Sequence, residues 1–232
     1  MSLLQTCSFV PEMIIDAPKE LKRANAAKKI KDCVGVAFLR LYRAGCIVTL
    51  RGGSGVVMKK NESGGFSAPC AVQMLGPAFG ASFGAQRSDY IIFFNTDKAL
   101  NGFVNNVGTV GINGSLAAGT VGREGEALFT TASTEGFLVF CNSKGLYGGV
   151  SVEISGVVVD NTANQAHYGR KISPQEIFSS ESQPKGEVFD RMYGMLSGLV
   201  AAKLEADPDA TPGVTKIESD PVSSNNETPA LN

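Results

Sequence analysis

The pentapeptide Gly80–Gly84 has the GxSxG pattern, in which a nucleophilic serine sits on the sharp turn of a serine hydrolase. Asp160 and His167 follow Ser82 in the order of the hydrolase triad, but they lie close together in a loop-like stretch. The turn also needs a helix directly after the serine, and here the chain continues into the strand-like run Ile91–Phe94. The sequence therefore predicts a protein that is not an enzyme, with a hydrolase using Ser82 as the minor alternative.

Three closely spaced glycines, Gly52, Gly53 and Gly55, form the other motif with a chemical meaning. A phosphate-binding loop is not indicated, because Met58 replaces the last glycine of a dinucleotide fingerprint and no GK[ST] follows. β-Branched residues flank the glycines on both sides. This pattern predicts a strand, a glycine-rich structural bend and a second strand, in which the glycines adopt positive φ or approach another backbone closely.

The thiols and the single imidazole are not spaced for a metal or a disulfide framework, since no CxxC occurs. We therefore expect no metal site and no cofactor, and a reducing, cytoplasmic compartment fits best. No apolar run reaches the ~18 residues of a membrane span, so any membrane contact is expected to be peripheral. The cysteines are Cys7, Cys33, Cys46, Cys70 and Cys141.

Cationic side chains are concentrated near the N-terminus. Residues 1–60 contain eleven Lys and Arg against four Asp and Glu, whereas residues 176–232 contain four against ten. The net charge of −1 excludes a generally basic nucleic-acid-binding surface. A helix predicted over Pro18–Val34, capped by Asp16, carries lysines on one side and mostly alanine on the other. It is either a solvated helix packed on the domain or a basic amphipathic helix lying on anionic lipid.

If this helix binds the membrane, its Lys and Arg side chains are the predicted lipid-binding residues. Arg51, beside the glycines, either extends the basic patch or bonds to carbonyls as a structural cation. The predicted set is Lys19, Lys22, Arg23, Lys28, Lys29 and Lys31, extended by Arg40 and Arg43.

The elements that must position these residues indicate an α+β fold. Short strands are predicted from residue 35 to residue 159, interrupted by a helix over Asp97–Val104 that Thr96 or Asp97 caps. Ser173–Glu176 is a capping box, and apolar spacing predicts a last helix over Val188–Leu204. We therefore expect an N-terminal basic helix, a twisted antiparallel, glycine-rich sheet with barrel-like closure as one option, and C-terminal helices.

Several linked segments together resemble the SYLF domain family, a lipid-binding module also called the YAB domain. The basic helix resembles the family's N-terminal helix, and the resemblance covers residues 16–205. The segments are Arg43–Gly55, Phe66–Pro69, Ser88–Asn95, Asn142–Glu153 and Tyr168–Ile177.

The resemblance implies binding of phosphoinositide-containing membranes through the N-terminal helix, and association with actin filaments at endocytic sites. An alternative is an actin-filament-binding or bundling module in which lipid binding is secondary. The expected organisation is an N-terminal extension over 1–15, the SYLF-like domain over 16–205 and a disordered acidic tail over 206–232. The expected location is the cytoplasm, peripheral on membranes.

Overall fold

The computed structural model describes residues 1–17, 32–105, 109–118, 121–130, 136–180 and 183–201. In chain order these residues form six helices and five strands. The helices are α1 (Leu3–Ser8), α2 (Val10–Ile15), α3 (Asp97–Val104), α4 (Asn161–Tyr168), α5 (Pro174–Ser179) and α6 (Glu187–Ala201). The strands are β1 (Gly35–Lys59), β2 (Cys70–Phe94), β3 (Thr109–Ala118), β4 (Val121–Thr130) and β5 (Phe137–Val159).

The predicted α+β class with an antiparallel sheet is confirmed. The strands form one sheet in the order β1-β2-β5-β3-β4, and β4 also pairs with β5 at a single position. Every described pairing is antiparallel. Within the described residues β1 pairs with β2 alone among the strands, so the sheet does not close into a barrel. The barrel-like option is therefore not realised.

The strands are longer than the sequence pattern predicted. Strands predicted separately within residues 66–95 merge into β2, and those predicted within 137–159 merge into β5. Likewise, the predicted strand, bend and strand around Gly52–Gly55 is one continuous strand, β1, and none of these glycines has a positive φ. The glycine-rich bend is therefore a wrong prediction at this position.

The irregular point of the hairpin lies elsewhere, at Gly45 and Gly84. These two glycines face each other across β1 and β2, and φ of Gly84 is 129°. The register of the two strands shifts directly after them, between Cys46 and Val48. Glycine fits here because side-chain-bearing residues rarely adopt this backbone conformation.

Gly53 and Gly55 have a different role, which is to let the two halves of β1 approach each other. A Cβ atom on Gly53 would lie 2.0 Å from the carbonyl oxygen of Arg40, and one on Gly55 would lie 2.3 Å from that of Phe38. No side chain fits at either position. The predicted close approach to another backbone is thus found at these two glycines, whereas a Cβ on Gly52 would meet only the side chain of Leu75 at 3.2 Å and more distant atoms.

Local sequence signals correctly predicted two of the helices. Thr96 caps α3 by accepting a hydrogen bond from the backbone N–H of Ala99, and Ser173 and Glu176 form the capping box of α5. The predicted last helix corresponds to α6. The loop expected between Asp160 and His167 is instead a helix, α4, which Asp160 caps and which ends at Gly169 with φ of 70°.

The first fifteen residues are part of the folded core. Helices α1 and α2 pack against α6, and Leu3, Val10 and Met13 are buried in the same cluster as Phe38 and Leu196. A second cluster on the other face of the sheet contains Leu39, Ile92 and other apolar residues, and it packs against α3 and α5. Residues 1–15, which the sequence predicts as an extension, therefore contribute side chains to the core of the domain.

Candidate functional site

Of the predicted basic helix, residues 18–31 lie outside the described residues, as do its lysines and Arg23. The residues on either side of it are described. Asp16 forms an ion pair with Lys144, and its carbonyl accepts a hydrogen bond of 3.0 Å from the side-chain amide of Asn142. At the other end, the backbone N–H of Val34 donates to the carbonyl of Phe94 at 2.8 Å. The residues that flank the cationic run are thus bonded to the sheet on both sides.

Arg40 lies at the centre of a buried ion-pair network rather than on the surface. Its Nε donates to Oδ1 of Asp89 at 2.7 Å and its Nη2 donates to Oδ2 at 2.9 Å, which is a bidentate pair. Its Nη1 lies 3.0 Å from Glu12, which also pairs with Arg87. The guanidinium stacks over the ring of Phe9, 4.7 Å from the centroid. The network therefore attaches α2 to β1 and β2.

The charges of this network set the protonation of Glu12. Partial burial alone would raise the pKa of Glu12, but the hydrogen bond and charge of Arg40, together with those of Arg87, outweigh it and hold the pKa below its ordinary value. Burial alone would lower the pKa of Arg40, but the hydrogen bonds and charges of Asp89 and Glu12 outweigh it and raise that pKa. Glu12 is thus ionised wherever the protein is folded near neutral pH.

Arg43 and Arg51 are buried on the opposite face of the hairpin. Arg43 is 3% exposed and Arg40 is 8% exposed, so neither guanidinium is presented to solvent. Arg51 donates a hydrogen bond to the hydroxyl of Tyr90, and its guanidinium lies 5.1 Å from the centroid of the Tyr90 ring. Arg51 therefore has the contacts of a structural cation. Lipid contact by Arg40 or Arg43 stays a prediction, because these buried guanidinium groups would first have to become exposed to solvent.

The residues of the hydrolase alternative do not have the local structure that its mechanism needs. Ser82 lies within β2, which continues to Phe94, so the strand–turn–helix elbow is missing. Asp160 accepts a hydrogen bond from the backbone of Ala163 as a helix cap, and His167 packs against Tyr168 and Phe189. Burial lowers the pKa of His167. The three residues thus share with a hydrolase triad their chain order and the GxSxG pattern around Ser82, but not the elbow geometry.

The described cysteines are free thiols in different environments. Cys7 and Cys70 are buried, and burial raises the pKa of each thiol to about 12, which makes both poor nucleophiles. Cys46 is exposed on β1. In the described part of the chain no group of three or more His, Cys, Asp or Glu is placed to hold a metal ion.

Sequence reasoning missed Glu12, Arg87 and Asp89 as members of a charged cluster. The signal that joins them is the strand register, since Arg40 lies directly opposite Asp89 across β1 and β2. A sequence alone gives no register.

Among the helices described, none combines the length and the apolar character needed to cross a membrane.

The described geometry is that of an antiparallel α+β domain in which a buried charged network connects α2 to the sheet. A protein-family model for Ysc84, described as Las17-binding protein actin regulator, matches residues 75–199. The chain therefore belongs to the Ysc84 family, and the SYLF resemblance is confirmed.

Curated relatives agree with this assignment. SH3 domain-containing YSC84-like protein 1 of Homo sapiens is 31% identical over 185 residues, which cover 79% of this chain and 53% of the relative. LAS seventeen-binding protein 3 of Saccharomyces cerevisiae is 33% identical over 171 residues, covering 72% of this chain and 37% of the relative. The chain thus spans about half or less of these relatives' length. No solved structure matches the chain.

Proposed function

We propose that this protein is a non-enzymatic, peripheral membrane protein of the cytoplasm that binds phosphoinositides and acts in actin regulation, including at endocytic sites. The observation that carries the proposal is the charge of residues 18–31, which contain six Lys and Arg and one Glu. An ionised basic side chain near an anionic leaflet contributes ~1 kcal/mol, so six of them give reversible binding without a pocket.

The described residues around this run support a surface role for it. Asp16 and Val34, which lie on either side of the run, are both bonded to the sheet. Of the cations in the predicted set, Arg40 already has two carboxylate partners. The proposed lipid-binding residues are therefore first of all Lys19, Lys22, Arg23, Lys28, Lys29 and Lys31.

The proposal predicts that charge reversal in this run removes membrane binding. Changing Lys22, Lys28 and Lys29 to Glu should weaken binding to phosphoinositide vesicles at least about a hundredfold, at ~1 kcal/mol per basic residue lost. Vesicle co-sedimentation measures the loss, and circular dichroism measures whether the fold is retained. Several hundred millimolar salt should weaken the wild type in the same direction, because it shortens the screening length to a few ångströms.

A matched control separates this segment from overall charge. Lys98, Lys171 and Lys185 are exposed and lie outside the run. Reversing them to Glu gives the same change in net charge and should leave most of the binding intact. Equal losses in the two triple variants would contradict a site in residues 18–31, and wild-type binding by the first variant would place the site elsewhere.

A second candidate function is direct binding to actin filaments, with lipid binding secondary. The description of the family as an actin regulator favours it, and a basic segment also suits the acidic surface of a filament. Co-sedimentation with filaments and with vesicles, run separately on one preparation, distinguishes the two. Filament binding without vesicle binding would replace the lipid proposal with this one.

A further inference from the structure

One face of the β1–β2 hairpin carries an uninterrupted row of exposed apolar side chains. Ala44 lies opposite Ala85 and Cys46 lies opposite Phe83, with Tyr42 two residues before Ala44 on the same face. All five side chains are exposed, and that of Phe83 is 73% exposed. We call these five residues the apolar strip. Exposed side chains on a sheet face are usually polar, so a row of this kind indicates a contact surface.

The apolar strip begins where the cover of the N-terminal helices ends. On the same face, Arg40 pairs with Asp89 and also contacts Glu12 of α2 and Phe9, the residue before α2. The next row across the three strands contains Tyr42, which is the first residue of the strip, followed by Arg87 and Lys144. Lys144 pairs with Asp16, which directly follows α2. Two cations therefore border the strip at this end.

We infer that the apolar strip inserts into the interface of an anionic membrane, an inference that rests on the proposed function. The basic run of the sequence begins within three residues of Asp16, so the proposed lipid-binding segment starts at the same end of the strip. The side chains suit an interface, since Phe83 is fully apolar and Tyr42 combines an apolar ring with a polar hydroxyl.

The composition of the strip favours lipid over a protein partner. Its centre is the pair Ala44 and Ala85, which separates the two exposed aromatic side chains, Tyr42 and Phe83, by two rows of the sheet. Lipid needs no matching surface, because acyl chains adapt to the two aromatic rings. Burial of the strip would thus strengthen a membrane attachment that begins with electrostatic attraction.

The absence of tryptophan from the sequence makes a direct test possible. Phe83→Trp places a single tryptophan in the strip. With vesicles of phosphatidylcholine, phosphatidylserine and phosphatidylinositol bisphosphate, its emission should shift to shorter wavelength and be quenched by brominated phospholipid. Leu75→Trp is the matched control, because Leu75 is 74% exposed and lies eight residues away on β2. Its emission should not change.

Two further measurements use the same vesicles. Maleimide labelling of Cys46, the exposed cysteine of the strip, should slow when vesicles are present. Phe83→Ser should weaken vesicle binding about tenfold, as expected for losing part of the burial of one aromatic side chain, with an unchanged circular dichroism spectrum. Leu75→Ser should leave binding unchanged.

The outcomes separate this inference from the proposed function. If the lysine reversals abolish vesicle binding while Phe83→Trp emission stays unchanged on bound vesicles, the strip does not insert and the inference fails alone. A shift at both Phe83→Trp and Leu75→Trp overturns an insertion confined to the strip. If the lipid-free protein is a dimer that Phe83→Ser converts to a monomer, the strip is an interface between copies and the lipid assignment is wrong.

Discussion

Arg40 shows how one side chain can be read as a surface cation in the sequence and be a buried structural group in the fold. In the sequence it belongs to a basic N-terminal region. In the structure its guanidinium joins α2 to two strands through Glu12 and Asp89. Removing one partner of a buried pair leaves the other charge uncompensated, which is where such pairs affect stability most.

We predict that Arg40→Ala lowers the free energy of unfolding by about 3–5 kcal/mol, because Asp89 stays buried with only the longer contact to Arg87 at 3.4 Å. Urea denaturation measures the change. The control is Lys59→Ala, which breaks an exposed pair with Asp97 and should cost less than about 1 kcal/mol. Similar losses in the two variants would contradict a structural role for the Arg40 network.

The register of β1 and β2 explains why this network was not predictable. Arg40 and Asp89 are 49 residues apart in the chain, and nothing local to either residue indicates the other. The basic run of residues 18–31 was predictable, because charge clustering is a property of neighbouring residues. The candidate site was therefore predictable in composition and not in geometry.

At the scale of the element, long strands replace several shorter predicted ones. Glycines are usually taken as breaks in a strand pattern, and this chain contains 27 of them. In β1 they remove side chains where the two halves of the strand approach each other, so Gly53 and Gly55 allow tertiary packing without ending the strand. Sequence periodicity cannot show this, since the neighbouring backbone lies far away in the chain.

We predict that Gly53→Ala and Gly55→Ala each lower stability by about 2–3 kcal/mol, because the new Cβ overlaps with backbone atoms of residues 38–41. Gly52→Ala should cost less than about 1 kcal/mol, since its nearest neighbour is the end of the exposed Leu75 side chain. Thermal unfolding of the three variants provides the comparison. A larger loss for Gly52→Ala than for the other two would show that the halves of β1 do not pack in this way.

The helices show where local signals are sufficient. Capping residues Thr96 and Ser173 identified α3 and α5, because a cap is formed by residues three apart. Helix α4 was missed because its sequence has little apolar character. It is held by Asn164, whose side chain accepts a hydrogen bond of 2.8 Å from the backbone N–H of Ala71 and donates one to the Ala71 carbonyl. Such a contact has no signature within residues 160–169.

At the scale of the whole molecule, the two ends of the described chain belong to one core. Helices α1 and α2 have six residues each, and helices this short are not stable alone in water. They form because Leu3, Val10 and Met13 pack against Met192 and Leu196 of α6. A prediction from the sequence treated residues 1–15 as an extension because that stabilisation is entirely tertiary.

We predict that Leu3→Ala lowers the free energy of unfolding by about 2–5 kcal/mol, the usual cost of a large-to-small change in a core. The adjacent Leu4→Ala should change it by less than about 0.5 kcal/mol, because Leu3 is 1% exposed whereas Leu4 is 47% exposed. Urea denaturation of the two variants is the measurement. Equal, small effects would mean that α1 contributes little to the folded domain.

The packing of α1 and α2 against α6 also constrains how the protein is made. A ribosome synthesises Leu3 and Val10 before Met192 and Leu196, which pack in the same cluster and leave the exit tunnel more than 180 residues later. Until then the apolar side chains of α1 and α2 lack the part of their contacts that α6 supplies. Such surfaces are the ones that molecular chaperones bind during translation. Folding of this domain can therefore be completed only after release of α6, and translation products that lack α6 leave part of the surface of α1 and α2 uncovered.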